Sequence, residues 1–118
     1  CVFVDSNPEA VAIVKDNVDS CGFNKESRVL CMDSLEYLKV AKAGLDIVFI
    51  DPPYRMGIVE KALELVESKL NEGAIIVCEH EKELELGESY GRLKLHKRYK
   101  YGKTALTVYK IPMKEEDY

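Results

Sequence analysis

The sequence LDIVFI at residues 45–50, followed directly by DPPY at residues 51–54, is the part of the chain that indicates its fold most clearly. Its first six residues are mostly apolar β-formers, which predicts a buried strand that runs parallel to its neighbour. Proline cannot donate a hydrogen bond to a sheet and pushes the preceding residue toward extended geometry, so Pro52 and Pro53 end this strand. The predicted local structure is a stiff turn just past the carboxyl end of a strand, which is where open α/β sheets bind ligands.

The composition of this turn predicts chemistry as well as geometry. The carboxylate of Asp51 and the carbonyl oxygen of Pro52 are adjacent acceptors, and Tyr54 supplies a flat ring beside them. An exocyclic amine on a base is a poor nucleophile because its lone pair is delocalised into the ring. Two acceptors on its hydrogens would localise that lone pair, while the tyrosine ring would stack on a base held out of its helix. The alternative is a purely structural Pro-Pro turn.

The size and composition of the chain predict one globular domain. The 118 residues carry a formal net charge of −4, and no apolar run approaches the length that spans a membrane. The four cysteines, at 1, 21, 31 and 78, lack the spacing of a metal site, so we expect no bound metal. Cys31 and Cys78 lie within apolar strand patterns, which predicts buried free thiols in a reducing cytoplasm.

Strand patterns alternate with helix patterns along the chain, which predicts a doubly wound α/β sheet. Asn7 and Pro8 are typical of a helix start, Ser34 is predicted to cap the second helix, and Gly102-Lys103 to turn a hairpin. A polar tail at 114–118 is predicted to fray. The predicted elements are strands at 1–4, 28–32, 45–50 and 74–78, helices at 8–21, 34–43 and 57–69, and an antiparallel hairpin at 92–111.

Three acids follow three successive strands: Asp5, Asp33 and Asp51. Parallel strands share one carboxyl edge, so we expect these carboxylates to line one crevice. In dinucleotide-type folds, an acid after the second strand accepts both ribose hydroxyls, and an acid after the third can bind an adenine amine. Singly, each acid fits a helix cap or a loop charge better than a binding site. Their repetition favours a binding site.

Basic residues concentrate in the predicted hairpin. Between Gly91 and Lys110 there are seven lysines or arginines and no acid. Strict alternation would place Lys94, His96, Arg98 and Lys100 on one face of a strand, where they could contact phosphates. The alternative is an edge strand that uses lysines to resist aggregation. A role for His80 stays open.

Five segments of the chain resemble the RsmD-type methyltransferases, which are class I enzymes that use S-adenosyl-L-methionine. The resemblance runs from Cys1 to Ile111 and implies methylation of guanine N2 in 16S ribosomal RNA, in the cytoplasm, on free RNA or a small-subunit particle. The matching segments are FVDSN at 3–7, MDS at 32–34, LDIVFIDPPY at 45–54, VCEHE at 77–81 and YGKTALTVY at 101–109.

The resemblance also implies the role of individual residues. Asp5 would bind the ribose of the cofactor and Asp33 its adenine, with a backbone contact from Ser34. The target guanine would be positioned by Asp51, Pro52, Pro53 and Tyr54, with Asp51 also beside the cofactor. The residues implied in RNA binding are Tyr54, Lys94, Arg98, Lys100 and Lys103.

One departure from the family pattern concerns the first strand and its glycine-rich loop, which have no counterpart in this sequence. The chain starts within a strand pattern and without methionine, so we expect it to be part of a longer protein. In the family that strand lies between the strands that end at Asp5 and Asp51. We therefore expect the chain alone to bind cofactor weakly, and to fill the gap by strand exchange with a second chain.

Three other functions fit parts of the pattern. DNA adenine-N6 methyltransferases carry the same tetrapeptide but usually add a target-recognition region, for which no segment here is long enough. The glutamine methyltransferases of release factors typically have Asn at the position of Asp51. A non-catalytic α/β binding module is favoured by the missing glycine loop, whereas the intact Asp-Pro-Pro-Tyr favours an enzyme.

Overall fold

The computed structural model describes residues 1–54 and 57–113, so the predicted frayed tail lies outside the described residues. The chain divides into two compact units, Cys1–Val40 and Ala41–Tyr118. Each unit has its own sheet, of two strands in the first and five in the second. The organisation of the chain as a single domain stays a prediction.

The first unit is a parallel strand pair with a helix after each strand. β1 and β2 pair from Val2↔Arg28 to Asp5↔Cys31. Parallel neighbours need a crossover connection, and a helix makes it, as predicted. The elements are β1 (Val2–Asp5), α1 (Pro8–Ser20), β2 (Arg28–Cys31) and α2 (Ser34–Val40).

The start of α1 confirms the predicted cap. The side chain of Asn7 accepts a hydrogen bond from the backbone N–H of Glu9 at 2.9 Å, and Pro8 occupies the first helical position. Val11 and Val18, seven residues apart, are buried on one face of the helix. The predicted stop at Gly22 is also observed, since this glycine has a φ of +75°, which favours a residue without a Cβ.

Three predictions in the first unit are wrong. The second helix is capped by Asp33 rather than Ser34, because the Asp33 carboxylate accepts the backbone N–H of Leu35 at 3.1 Å. The helix also ends at Val40, three residues earlier than predicted. Cys31 is exposed instead of buried, because it is the last residue of a four-residue strand with one strand neighbour, which leaves it few side chains to pack against.

The second unit is a mixed five-stranded sheet in the order β3-β4-β7-β6-β5. β3 and β4 are parallel, and the remaining pairs are antiparallel, which confirms the predicted α/β arrangement with a C-terminal hairpin. The elements are β3 (Leu45–Ile50), α3 (Ile58–Val66), a 3₁₀ turn (Glu67–Lys69), β4 (Leu70–Glu81), β5 (Ser89–Tyr90), β6 (Leu93–Tyr101) and β7 (Thr104–Lys110).

One face of this sheet, here called the packed face, forms the core together with α3. Leu63 and Val66 of the helix and Ile76, Cys78 and Tyr109 of the sheet have no solvent exposure. The apolar residues predicted to be buried around this helix are all buried: Val59, Ala62, Leu63, Val66 and Leu70. Cys78 is a buried free thiol, as predicted, and burial raises its pKa to about 12.

The opposite face, here called the open face, corrects the prediction that residues 45–50 form a fully buried strand. Ile47 is 77% exposed and Phe49 62% exposed, whereas Ile50 is buried. Side chains of a strand alternate between faces, and β3 pairs only with β4 among the described residues. One side of β3 therefore packs against the core while the other side remains accessible. Within the part of the chain that the structure describes, no helix combines the length and apolar character needed to cross a membrane.

A cluster around Arg92 joins the start of β6 to the end of α3. The backbone N–H of Arg92 and its Nε both donate to Oε1 of Glu67, at 2.9 and 2.8 Å. Its guanidinium also donates to the backbone carbonyls of Glu67 and Leu70. The backbone N–H and then the guanidinium of Arg92 hold the pKa of Glu67 below its ordinary value of 4.5.

This lowered pKa predicts a pH-dependent contribution to stability. A carboxyl with a lower pKa in the folded state stabilises the fold above its unfolded pKa and loses that effect as the pH falls through its folded pKa. We expect Glu67→Gln to lower the free energy of unfolding by about 0.5–1 kcal/mol at neutral pH. Below pH 4.5 the difference should shrink.

Urea unfolding of both proteins over a series of pH values measures this difference. Glu83→Gln, in the exposed turn after β4, is the matched control and should change stability little at any pH. A difference between wild type and Glu67→Gln that stays constant from neutral to acid pH would contradict the assignment.

Candidate functional site

The Asp-Pro-Pro-Tyr turn leaves β3 beside the end of β4. Ile50 and Cys78 are register partners in the parallel pair, so Asp51 and Glu79 follow at adjacent positions. The hydroxyl of Tyr54 lies 2.9 Å from the hydroxyl of Thr104, at the start of β7. The turn is thus held at both ends, by strand pairing before it and by this hydrogen bond after it. The Tyr54 ring remains 41% exposed.

Asp51 and Glu79 form a pair of interacting carboxyl groups. The charge of Asp51 raises the pKa of Glu79 above its ordinary value, with smaller contributions from burial and from a hydrogen bond between the two side chains. A nearby like charge of this kind disfavours the ionised form of Glu79. Glu79 belongs to the segment VCEHE at 77–81 that resembles the family, but the resemblance gives it no role. Only the register of β3 against β4 shows that it adjoins Asp51.

A narrow cleft beside the turn is lined by Pro52, Pro53, Tyr54, Glu79 and His80. Its cavity volume is about 10 Å³, which is close to the space that one water molecule needs. A planar base therefore fits over the exposed ring of Tyr54 rather than inside the cleft.

His80 is a structural residue of this region. Its Nδ1 lies 2.8 Å from the backbone carbonyl of Glu81, which can only accept, so this nitrogen carries a proton. Its Nε2 lies 2.8 Å from the hydroxyl of Thr107, which donates to it when the ring is neutral. Both residues are buried. The imidazole thus joins β4 to β7 beneath the candidate site.

In the first unit, Asp5 is the last residue of β1, Asp33 lies just after β2, and both are exposed. The Asp5 carboxylate accepts the backbone N–H of Asn7 at 2.8 Å, and Asp33 accepts that of Leu35. Each hydrogen bond uses one oxygen of the carboxylate and orients that side chain at the carboxyl edge of the β1–β2 strand pair. Ser34 is half-buried beside Asp33. The prediction that Asp51 shares a crevice with these two acids stays a prediction.

The register of β6 against β7 shows an extra residue in the basic strand. Leu95 pairs with Tyr109. The next pair along β7 joins Val108 to Lys97, which leaves His96 as a β-bulge. A bulge adds one residue to one strand, so the side chains beyond it change faces relative to strict alternation.

The predicted single basic face is therefore wrong. Lys94 pairs with Lys110 on the open face. Beyond the bulge, Arg98 pairs with Thr107 on the packed face. Lys100, opposite Ala105, takes the same side as Arg98, and Lys103 lies in the exposed hairpin turn. The pattern of alternating charges could not reveal the bulge, because no glycine or proline marks it.

Arg98 has a structural contact as well as an exposed surface. Its guanidinium donates to the backbone carbonyl of Leu86 at 2.6 Å and holds the loop after β4 against β6. Arg98 and Lys100 line a cavity of about 230 Å³ between that loop and the hairpin, with His80 and Thr107 also in its wall. Among the described residues, no group of three or more His, Cys, Asp or Glu side chains could hold a metal ion.

Known proteins resemble this chain in structure and in sequence. A solved structure of a conserved hypothetical protein from Streptococcus pyogenes superposes with a TM-score of 0.86 and 30% identity, covering 92% of this chain and 69% of that one. In sequence, the chain is 33% identical over 115 residues to the Bacillus subtilis (strain 168) protein named "Putative rRNA methyltransferase YlbH". It is 31% identical over 85 residues to ribosomal RNA small subunit methyltransferase D of Escherichia coli (strain K12).

The family described as conserved hypothetical protein 95 matches residues 1–110, and the chain belongs to this family. The predicted resemblance to the RsmD-type methyltransferases and the predicted Rossmann-like class I methyltransferase fold are both confirmed. The matches cover 93% of this chain and 62% of YlbH, and 70% of this chain and 43% of methyltransferase D. The chain thus spans less than two thirds of the curated relatives that it matches.

The buried His80–Thr107 bond gives a prediction for stability. Thr107→Val keeps the shape of the side chain but removes the hydroxyl, which leaves Nε2 of His80 buried without a donor. An unsatisfied buried polar group costs about 1–3 kcal/mol, and we expect the free energy of unfolding to fall by that amount.

Thr107→Ser is the matched control, because it keeps the hydroxyl and removes only a methyl group. Urea unfolding followed by circular dichroism should rank the three proteins as wild type, Ser variant and Val variant in falling stability. A Val variant as stable as wild type would show that the hydrogen bond does not hold β4 to β7.

Proposed function

We propose that the protein methylates an exocyclic amine of RNA with S-adenosyl-L-methionine, and that the amine is N2 of a guanine in 16S ribosomal RNA. The observation that carries this proposal is the Asp51-Pro52-Pro53-Tyr54 turn at the carboxyl end of β3, braced by the Tyr54–Thr104 hydrogen bond. Relatives named as ribosomal RNA methyltransferases support the substrate class. The choice of guanine N2 rests on the resemblance to the RsmD-type enzymes.

The turn would act by holding the amine and localising its lone pair. Asp51 and the carbonyl oxygen of Pro52 would accept the two amine hydrogens, so that the nitrogen lone pair is localised and aimed at the electrophilic methyl group. Pro53 keeps the turn stiff, and the exposed ring of Tyr54 would stack on the base. Pre-set acceptors of this kind lower the barrier because they need no rearrangement during reaction.

Asp5, Asp33 and Ser34 would hold the cofactor. Exposed carboxylates at the ends of adjacent parallel strands suit a ribose diol and an adenine amine, and the backbone N–H groups of Asn7 and Leu35 already orient them. The residues therefore fit the group. When bound, S-adenosyl-L-methionine supplies an electrophilic methyl group.

The reaction releases one proton from the methylated nitrogen. The Asp51–Glu79 pair lies where it could accept that proton, since the raised pKa of Glu79 brings proton uptake closer to neutral pH. Water could accept it as well. The pair therefore assists the reaction without having to be an obligatory base.

The RNA would bind over Tyr54 and the basic hairpin. Lys94, Lys100 and Lys103 are exposed and would contact phosphates, while Arg98 would do so with a guanidinium already held by Leu86. We propose the small ribosomal subunit particle or its free RNA as substrate, and no metal takes part. Weak cofactor binding by this chain alone, with strand exchange between two chains, also remains our proposal.

Two substitutions separate target positioning from cofactor binding, in a form of the protein as long as its relatives. Asp51→Ala should reduce methyl transfer by about 10²-fold or more, because it removes an acceptor for the reacting amine. Its affinity for S-adenosylhomocysteine, measured by calorimetric titration, should remain close to that of wild type.

Asp5→Ala is the matched counterpart. It should weaken the binding of S-adenosylhomocysteine, since an acceptor for the ribose hydroxyls is lost. Methyl transfer should fall in proportion to the loss of cofactor binding and no further. Equal loss of cofactor binding in both variants would show that Asp51 has been assigned to the wrong role. Absence of S-adenosylhomocysteine binding by the wild-type protein would contradict the proposed function itself.

A further inference from the structure

The open face of the hairpin carries a row of aromatic and basic side chains, here called the tyrosine–lysine stripe. It consists of Lys94, Lys97, Tyr99 and Tyr101 on β6 and Lys110 on β7. The bulge at His96 creates this row, because it brings Lys97, Tyr99 and Tyr101 to the same face as Lys94. Under strict alternation Lys94 would have lain on the opposite face from the two tyrosines.

The two tyrosines present parallel aromatic surfaces. The ring centroids of Tyr99 and Tyr101 are 6.4 Å apart, and their planes differ by 8°. Tyr101 is 61% exposed. Nζ of Lys97 lies 4.9 Å from the centre of the Tyr99 ring, a cation–π contact that places a positive charge over the aromatic surface. Tyr99 is half-buried. Parallel, accessible rings with a neighbouring cation suit a ligand that is both flat and anionic.

The lysines of the stripe repel one another in the absence of an anion. Lys94 and Lys110 are direct cross-strand partners, and like charges in that position destabilise a sheet. Lys97 lies on the same face, closer to the tyrosines. Neither of the two ion pairs among the described residues involves any of these three lysines. A polyanion bound along the stripe would relieve this repulsion.

The stripe is continuous with the candidate target site. Tyr54 is hydrogen-bonded to Thr104, and Thr104 is the cross-strand partner of Tyr101. The aromatic rings therefore follow one another from the turn that would hold the target base to Tyr101 and Tyr99. From Tyr101 to Lys97 the strand covers roughly 14 Å.

We propose that the tyrosine–lysine stripe binds the single-stranded RNA next to the nucleotide that is methylated. Neighbouring unpaired bases stack on Tyr101 and Tyr99, and their phosphates lie near the three lysines. Stacking on aromatic side chains requires bases that are free of a duplex, so the ligand is single-stranded rather than double-stranded. This inference rests on the proposed function for its RNA substrate and adds where the flanking nucleotides bind.

The test is fluorescence anisotropy of a short labelled single-stranded RNA with the 118-residue chain. Changing Tyr99 and Tyr101 together to Leu should weaken binding by roughly 5- to 100-fold, because leucine keeps the apolar bulk but cannot stack. Changing both to Phe should leave binding close to wild type. Circular dichroism of each variant establishes that the fold is retained.

The contribution of the lysines is measured separately, from the salt dependence of RNA binding. Lys97→Ala should reduce the dependence of log affinity on log salt concentration by about one unit, since one phosphate contact is lost. Lys61→Ala, an exposed lysine on α3, is the matched control and should leave the slope unchanged. Unchanged RNA affinity in the double Leu variant, or equal affinity of wild type for duplex RNA, would overturn the proposal.

Photo-crosslinking of a 4-thiouridine RNA to the unmodified chain tests the same contact without any substitution. Crosslinks mapped to the peptide that contains Tyr99 and Tyr101 support RNA binding at the stripe, and crosslinks found only elsewhere overturn it.

RNA binding is measured without methyl transfer, so this inference and the proposed function can be contradicted independently. If the protein methylates RNA but the stripe substitutions leave its RNA affinity unchanged, this inference alone is refuted. If RNA affinity depends on the stripe but no methyl transfer occurs, the proposed function alone is refuted.

Discussion

The parallel pairing of β3 with β4, ended abruptly by two prolines, is the constraint on which the candidate site depends. Since Pro52 and Pro53 cannot extend the ladder, the chain leaves the sheet at Asp51. The register Ile50↔Cys78 then places Asp51 beside Glu79, and the turn brings Tyr54 within hydrogen-bond distance of Thr104. A shift of one residue in this register would move every side chain to the other face and separate the two carboxyl groups. The position of the acceptors is therefore a consequence of backbone pairing.

The two faces of the sheet in the second unit differ in the burial of their side chains. The packed face buries Ile76, Cys78 and Tyr109 against α3, and the His80–Thr107 bond satisfies the polar groups that this face encloses. The open face keeps charged and aromatic side chains accessible, from Glu79 to Tyr101. Buried and accessible side chains thus lie on opposite sides of the same strands. The repulsion between Asp51 and Glu79, and between Lys94 and Lys110, is a cost that the packed face offsets.

Much of this architecture could be predicted from local patterns. The Asn7 cap, the apolar stripe of α3 and the hairpin turn at Gly102 each depend on neighbouring residues in the sequence, and each is observed. The failures depend on information that local patterns do not contain. The bulge at His96 is set by pairing with β7, and the exposure of Cys31, Ile47 and Phe49 is set by which elements cover each strand. Likewise, the motif predicted Asp51 and Tyr54 as site residues, whereas Glu79 becomes their neighbour only through register.

The measurement that tests this account most directly is nucleoside analysis of the reaction product. A form of the protein as long as its relatives would be incubated with small-subunit ribosomal RNA and S-adenosyl-L-methionine carrying an isotope-labelled methyl group. The RNA would then be digested to nucleosides and examined by mass spectrometry. We expect label in N2-methylguanosine, which Asp51→Ala should abolish. Label only in a methylated adenosine or cytidine would contradict the assignment of guanine N2, and absence of label from every nucleoside would contradict the methyltransferase itself.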